Sequence, residues 1–379
     1  MVDLYLVLDI ISAFALFWLV LYYLGRRYRL EDRGIEVKPL MLILRTKRVN
    51  GFLDWGARKL RRVISVYSDL SIPLAVGMMV YVAYFLSSNI VSFFIQHTMT
   101  PVFPAIPFIT IKLESLPYFI IALAFIVVLH EFAHGVAARH EGIAIKSAGV
   151  ILLAVIPGGF VEPDEESFKK ATGRKRLRVL AVGSSTNLIS GVVVSLLLTA
   201  ILIAAPLQPN GVLITGVTEG GPAAAAGLQP DDVITAVDGI TTSNLEAVKN
   251  YMANVHPGTP ITLSVQFAAN KTVGTVPVTT ISDPEKPGRA IIRVSLTDNI
   301  EPPPFHRALA WFQFWSINIA IVNMLPIQPL DGGGLLLNII ESHLPKRSKY
   351  VVRATTSFFI LLLMLNLTLT LIGPGFPKI

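Results

Sequence analysis

Residues 118–134 read YFIIALAFIVVLHEFAH, an apolar run that ends in two histidines and a glutamate. Within a membrane helix, an ionisable side chain costs roughly 2.5 to 3.5 kcal/mol near the centre unless it is paired or bound to a metal. His130 and His134 lie four residues apart, so they project from one helical face, with Glu131 between them. This spacing presents two zinc ligands and a general base. The stretch therefore predicts a membrane helix with a metal site, and the alternative is a pair of interior histidines bonded to neighbouring groups.

The composition indicates a polytopic α-helical membrane protein. Hydrophobic residues make up 53% of the chain and charged residues only 15%, which is far from the balance of a soluble globular domain. Apolar segments that approach or exceed the ~20 residues needed to cross a bilayer predict about six transmembrane helices. These segments are residues 4–24, 72–95, 118–138, 179–206, 308–324 and 352–372.

The positions of the basic residues predict the topology. A basic stretch between Arg26 and Arg62 lies in the cytoplasm by the positive-inside rule, either along the lipid surface or as a solvated loop. Alternation then places both termini and residues 208–301 outside the cytoplasm, and the basic loops at 174–178 and 346–349 inside it. The net charge of +7 is thus explained by topology. It gives no reason to expect a nucleic-acid partner.

The third metal ligand has to be a histidine or a carboxylate, because the chain has no cysteine. Catalytic zinc usually takes three protein ligands and keeps one open position. Asp331 is the candidate, within NMLPIQPLDGG at residues 323–333, because its span is predicted to end on the cytoplasmic side, as His134 does. The alternative is that Asp331 caps the helix that begins at Gly332.

These motifs together resemble the site-2 protease family of intramembrane zinc metalloproteases, in its prokaryotic type with one PDZ domain. HExxH lies at 130–134, GxxxN at 183–187 and NxxPxxxxDG at 323–332, while PGGFVE at 157–162 resembles the glycine-rich stretch after the active-site helix. The resemblance implies one zinc ion per chain held by His130, His134 and Asp331. It implies that Glu131 and Asn323 act in catalysis and that Asn187 contributes to substrate binding.

Residues 208–301 are predicted to form an inserted small mixed β/α domain. Alternating β-branched runs occur at 211–215, 261–265 and 291–294, and the length suffices for one small core. The stretch 220–239 resembles a PDZ domain, with 244–255 as its groove-lining helix. By that resemblance a peptide would add as a strand at Gly211, Val212, Leu213 and Ile214. The alternative is a spacer or size filter without a peptide ligand. We call this segment the PDZ-like insert.

The predicted domain plan is an anchor with a basic segment at 1–70, membrane cores at 71–207 and 302–379, and the PDZ-like insert between the cores. The leading functional hypothesis is an endopeptidase of the cell membrane that cleaves membrane-spanning segments of other proteins, with its site toward the cytoplasmic side. Its partners would be those substrates and the lipid bilayer. The alternatives are a membrane scaffold that binds peptides through the insert, and a metal transporter.

Overall fold

The protein is described from a computed structural model that covers residues 4–46, 49–154 and 156–377. The chain divides into two compact units. The helical unit comprises the described residues up to Leu198 and from Arg307 onward, and the β-rich unit comprises Thr199–His306. The predicted insert at 208–301 lies within the β-rich unit, although its exact bounds stay a prediction.

Helices and strands are numbered in chain order. The helices are α1 (Leu4–Arg27), α2 (Val49–Lys59), α3 (Arg61–Gln96), α4 (Leu116–His140), α5 (Glu165–Lys170), α6 (Gly173–Ala204), α7 (Pro222–Ala225), α8 (Leu245–Met252), α9 (Pro304–Asn323), α10 (Asp331–His343) and α11 (Ser348–Ile372). The strands are β1 (Ile35–Lys38), β2 (Met41–Thr46), β3 (Ile145–Leu153), β4 (Ile156–Pro163), β5 (Val212–Val217), β6 (Val233–Val237), β7 (Ile240–Thr241), β8 (Pro260–Gln266), β9 (Val273–Thr279), β10 (Ile281–Ser282), β11 (Ala290–Ile291) and β12 (Val294–Asp298).

Four helical segments among the described residues are long and apolar enough to cross a membrane: Arg61–Gln96, Leu113–His140, Gly173–Ala204 and Ser348–Ile372. They contain α3, α4, α6 and α11, and they coincide with four of the six predicted spans. The other two predicted spans, 4–24 and 308–324, form α1 and α9. Whether α1 and α9 cross the bilayer stays a prediction. The chain is a multi-pass membrane protein in either case.

A four-stranded antiparallel sheet accompanies the helices, in the order β1-β2-β3-β4. It joins two distant segments, because β2 pairs with β3 from Met41 opposite Leu153 to Thr46 opposite Ala148. This sheet differs from the expectation drawn from the sequence. The stretch between residues 26 and 62 was expected to be a segment along the lipid surface or a solvated loop, whereas the apolar run there forms β2. Strand β4 lies at the edge of the sheet.

Two glycines allow β4 to lie close to its neighbours. A side chain at Gly149 in β3 would overlap the backbone oxygen of Leu44 and the ring of Phe160, so Phe160 lies directly across Gly149. A Cβ at Gly159 would lie 3.0 Å from Val127 and 3.3 Å from the Cγ of Glu131. The absence of side chains at these positions brings β4 against the part of α4 that carries HExxH.

The β-rich unit contains a sheet in the order β12-β5-β6-β8-β9, with β7 paired to β6. Its strands bury one apolar face, as period-two alternation predicts. Helix α8 begins after Asn244, whose side chain accepts a hydrogen bond from the N–H of Ala247 at 2.8 Å. The predicted helix at 244–255 thus corresponds to α8. The core of the unit includes Val212, Ile214, Ile234, Leu263 and Val265, each at most 1% exposed.

Candidate metal centre

Three potential metal ligands from distant parts of the chain meet at one point. The Nε2 atoms of His130 and His134 lie 3.0 Å apart. The Oδ2 atom of Asp331 lies 3.1 Å from His130 Nε2 and 3.2 Å from His134 Nε2. These three form the metal-ligand cluster found among the described residues. Their side chains are largely shielded, with exposed fractions between 9% and 19%.

Asp331 reaches this point because α10 begins there. The residue that caps α10 is Leu330, and it makes no side-chain capping bond. Asp331 is therefore the first helical residue and not a cap, and its carboxylate faces the histidines. A side chain at Gly332 would overlap the backbone of Met324 and Leu325, and one at Gly333 would overlap that of Ile327. The two glycines let α10 begin directly against the segment that follows α9.

The orientation of His134 is fixed by α6. Its Nδ1–H donates to the backbone carbonyl of Val179 at 2.7 Å, because a carbonyl can only accept, and its Nε2 faces Asp331. Such a bond to the second nitrogen is what orients histidine ligands at metal sites. Gly183, one turn along α6, gives the imidazole its space, because any Cβ there would overlap the ring.

His130 is held by Asn187, a further turn along the same helix. The amide of Asn187 lies 3.1 Å from Nδ1 of His130 through its nitrogen, and its buried oxygen has no hydrogen-bond partner among the described residues. A rotation of the amide by 180° gives that oxygen the Nδ1–H as its donor and leaves the Nε2 lone pair of His130 free for a metal. Asn187 is fully buried. Its predicted contact with substrate stays a prediction, and its present contact is with a histidine.

Glu131 is not part of this ligand cluster, and its carboxylate is bonded to the sheet. Its Oε2 accepts a hydrogen bond from the backbone N–H of Val161 at 2.8 Å. Val161 belongs to the edge strand β4, so the carboxylate lies between α4 and the sheet. Glu131 is therefore available for a role other than metal binding, and it lines the same cleft as His134 and Asp331.

Two clefts meet at Glu131 and share Phe160 and Val161 in their walls. The first, of about 430 Å³, is also lined by His134, Asp331 and Glu165. We call it the polar cleft. The second, of about 280 Å³, is lined chiefly by apolar residues of α4 and strands β2 to β4. We call it the apolar cleft. Its rim includes Leu44, Val128 and Val150, which are 39%, 53% and 45% exposed.

The remaining predicted site residues lie elsewhere. Asn323 is the last residue of α9 and is not part of the wall of either cleft. Gly211–Ile214 were predicted to receive a peptide strand, and this conflicts with the pairing of β5. That strand is already bonded to β12 on one side and to β6 on the other, so a peptide cannot pair with it. One edge of this sheet is β12 and the other is β9, and a groove of about 320 Å³ beside β12 includes residues of α8 and β12 in its lining.

Three groups that contribute to the site were not predicted from the sequence. Two are backbone groups, the carbonyl of Val179 and the N–H of Val161, and backbone groups leave no residue-type signal. The third is Ser184, whose hydroxyl donates to Oδ2 of Asp331 at 3.3 Å. Its position inside GxxxN was the available signal.

Comparison with known proteins gives a family and several relatives. The model of peptidase family M50 matches residues 118–365, which is more than half of the chain. An uncharacterized protein of Methanocaldococcus jannaschii is 28% identical over 323 residues, covering 83% of this chain and 80% of that protein. A membrane-bound transcription factor site-2 protease homolog of Arabidopsis thaliana is 27% identical over 188 residues, covering 48% of this chain and 36% of that protein.

Among solved structures, the PDZ domain of an SdrC-like protein from Listeria monocytogenes is similar to 24% of this chain and 93% of that domain, with 19% identity and a TM-score of 0.22. The family match spans all three motifs at 130–134, 183–187 and 323–332. The chain therefore belongs to peptidase family M50, the site-2 protease family.

Proposed function

We propose that this protein is a zinc-dependent intramembrane endopeptidase that cleaves membrane-spanning segments of membrane-anchored proteins. The observation that carries the proposal is the convergence of His130, His134 and Asp331 on one point, with Glu131 beside them. Two imidazoles and a carboxylate are a common ligand set of catalytic zinc. The family to which the chain belongs supports the same reading.

The three donor atoms lie close to the spacing that one zinc ion requires. Ligand bonds of 2.0 to 2.2 Å at tetrahedral angles place neighbouring donors about 3.3 to 3.6 Å apart, and the observed separations of 3.0 to 3.2 Å are slightly shorter. The unpartnered oxygen of Asn187 also fits, because a metal-bound His130 offers it an N–H. When bound, zinc would supply a Lewis acid that polarises both water and the scissile carbonyl.

Glu131 is proposed as the general base. It lines the polar cleft together with His134 and Asp331, so a water molecule there lies within reach of its carboxylate. Glu131 would take a proton from that water during attack and return it to the leaving amine. The bond from Val161 would hold the carboxylate in one orientation while it does so.

The substrate is proposed to bind in an extended form. A peptide bond inside a transmembrane helix is covered by its own helical turn, so the segment must unwind before cleavage. Glycine and proline cost a helix about 1 and 3 kcal/mol, and substrates with such residues near the cut should react faster. Edge strand β4 offers pairing for the unwound segment, and the apolar cleft beside it suits an apolar side chain.

The proposed location is the cell membrane, with the catalytic site toward the cytoplasmic side and the β-rich unit and both termini outside. The distribution of basic residues supports this arrangement. Peptide binding by the PDZ-like insert is proposed at the groove between α8 and β12, because edge strand β12 can pair with an added strand. The family match favours neither the scaffold nor the transporter.

The test compares purified wild-type protein with Glu131→Gln, and uses Glu114→Gln as a control because that residue is an exposed acid before α4. We expect about one zinc ion per chain in all three. A detergent-solubilised single-span substrate should be cut by wild type and by Glu114→Gln but not by Glu131→Gln. Cleavage by Glu131→Gln at the wild-type rate would contradict the proposal. Zinc-containing wild type that cuts no membrane-spanning substrate would favour a scaffold, and metal flux that survives Glu131→Gln would favour a transporter.

A further inference from the structure

One arginine joins three elements next to the metal centre. The guanidinium of Arg178, in α6, donates to both carboxylate oxygens of Asp69 in α3, at 2.9 and 2.6 Å. Its remaining arm donates to Oε1 of Glu141 at 2.6 Å. Glu141 is the residue that follows the last turn of α4, the helix of the two histidines. Arg178 therefore connects α3, α4 and α6 through a single planar group.

This arrangement is largely shielded from solvent. The side chains of Arg178 and Glu141 are 15% and 5% exposed, and that of Asp69 is 34% exposed. Bidentate bonds between arginine and carboxylate have a fixed geometry, because the fork of the guanidinium matches two oxygens at once. Such a contact constrains how far a helix can slide or rotate against its neighbours. A contact made by a flexible, exposed lysine would not constrain the helix in this way.

The residue after Arg178 is Val179, whose carbonyl orients His134. Gly183 and Asn187 follow at intervals of one helical turn, and each contacts one of the two histidines. All three contacts depend on the rotation and the depth of α6. A shift by one residue moves the helix 1.5 Å and turns it by about 100°, which would remove the carbonyl from His134 and place a side chain against its ring.

We propose that Arg178 is a positioning residue for the metal centre, because its bonds to Asp69 and Glu141 hold α6 where Val179 meets His134. It touches neither metal nor substrate. It acts through the helix that carries the partners of both histidine ligands. This inference rests on the zinc site proposed above, and its test separates the two.

The test measures zinc affinity in the full-length protein, first stripped of metal in detergent and then titrated against a chelator of known affinity. Arg178→Lys keeps the charge but loses the fork. We expect its zinc dissociation constant to rise about 10- to 100-fold, the range seen when groups that orient metal ligands are lost. The visible absorption spectrum of the Co²⁺-substituted protein should change as well, because the ligand geometry changes. Thermal unfolding of the metal-free protein shows whether the variant is folded.

The matched control is Arg174→Lys. Arg174 also bonds Asp69 but is 71% exposed and makes no contact with Glu141, so its zinc affinity should stay within about twofold of wild type. Zinc binding that is weakened equally in Arg178→Lys and Arg174→Lys would overturn the proposal. A folded Arg178→Lys protein with wild-type zinc affinity and an unchanged Co²⁺ spectrum would also overturn it. If Arg178→Lys does not fold, Glu141→Gln is tested in its place. We expect a smaller rise in its zinc dissociation constant, and an unchanged constant would contradict the inference. Wild type that binds no zinc would overturn the proposed function itself.

Discussion

The backbone N–H of Val161 donates to Oε2 of Glu131 at 2.8 Å, so the acid of HExxH is bonded to the edge strand of a sheet. The two residues belong to different elements, α4 and β4, and the bond places the carboxylate where the polar and apolar clefts meet. The strand that is proposed to pair with substrate is thus the strand that orients the proposed base. Substrate binding and the position of the base are linked through Val161.

Val161→Pro should lower kcat about tenfold or more while zinc content stays unchanged. Proline removes the N–H that orients Glu131, and an edge strand tolerates proline better than a central one. A positioned base contributes about 10²- to 10⁴-fold to the rate, so partial misplacement should be measurable. Val161→Ala keeps the N–H and serves as the control. Wild-type kcat in the proline variant would show that the bond does not matter for turnover.

Asn187→Leu should weaken zinc binding about 10- to 100-fold, because it removes the partner of His130 Nδ1 from a fully buried position. Competition with a chelator measures the dissociation constant. Ser190→Ala is the control, since Ser190 bonds the backbone carbonyl of Asn187 at 3.0 Å and the hydroxyl of Ser316, so the change removes a neighbouring bond without removing the amide that holds His130. If Asn187 instead contacts only substrate, KM will rise and zinc affinity will not change.

Val150→Trp should alter substrate preference, because residue 150 lies at the exposed rim of the apolar cleft. A larger side chain there should reduce kcat/KM about tenfold for substrates with a bulky apolar residue beside the cut, since such pockets discriminate by about 1 to 3 kcal/mol. Substrates with alanine at that position should be affected less. Leu153→Trp, an exposed position on the same strand outside the cleft, should change neither rate. Parallel losses for both substrates would show that the cleft does not select side chains.

Asp232→Ala should destabilise the β-rich unit by about 2 to 4 kcal/mol. The carboxylate is 3% exposed and accepts the N–H groups of Gln229 and Ala268, each at 2.9 Å, and a buried donor left without a partner costs about 1 to 3 kcal/mol. Hydrogen exchange of the amides in β6 and β8 measures the loss. Glu219→Ala, at an exposed position, should leave the exchange rates unchanged. Unaltered protection in Asp232→Ala would contradict this account.

The sequence predicted those parts of the site that depend on side-chain identity. His130, His134 and Asp331 could be singled out because histidine and aspartate are expensive inside an apolar chain, and the structure brings these three side chains to one point. The apolar runs of α3, α4, α6 and α11 were likewise readable, because length and hydropathy alone decide whether a helix can cross a membrane.

The pairing of the strands could not be predicted from the sequence, because it depends on which distant segments become neighbours in the fold. Strand β2 comes from a basic stretch whose charges suggested a lipid surface, and its partner β3 is about one hundred residues away, so no local pattern reveals the pairing. The peptide edge was assigned to β5, yet β5 and β12 both alternate in the same way. Only the folded sheet shows that β5 is central and β12 is at the edge.

The distance of 197 positions along the chain from His134 to Asp331 also has a consequence for biosynthesis. A nascent chain still short of residue 331 has both imidazoles in place but lacks the carboxylate that completes the set. The ribosome must therefore translate the whole β-rich unit and α9 before the three side chains can meet. Under the proposed function, newly made protein is therefore expected to cleave nothing until its insertion is nearly finished.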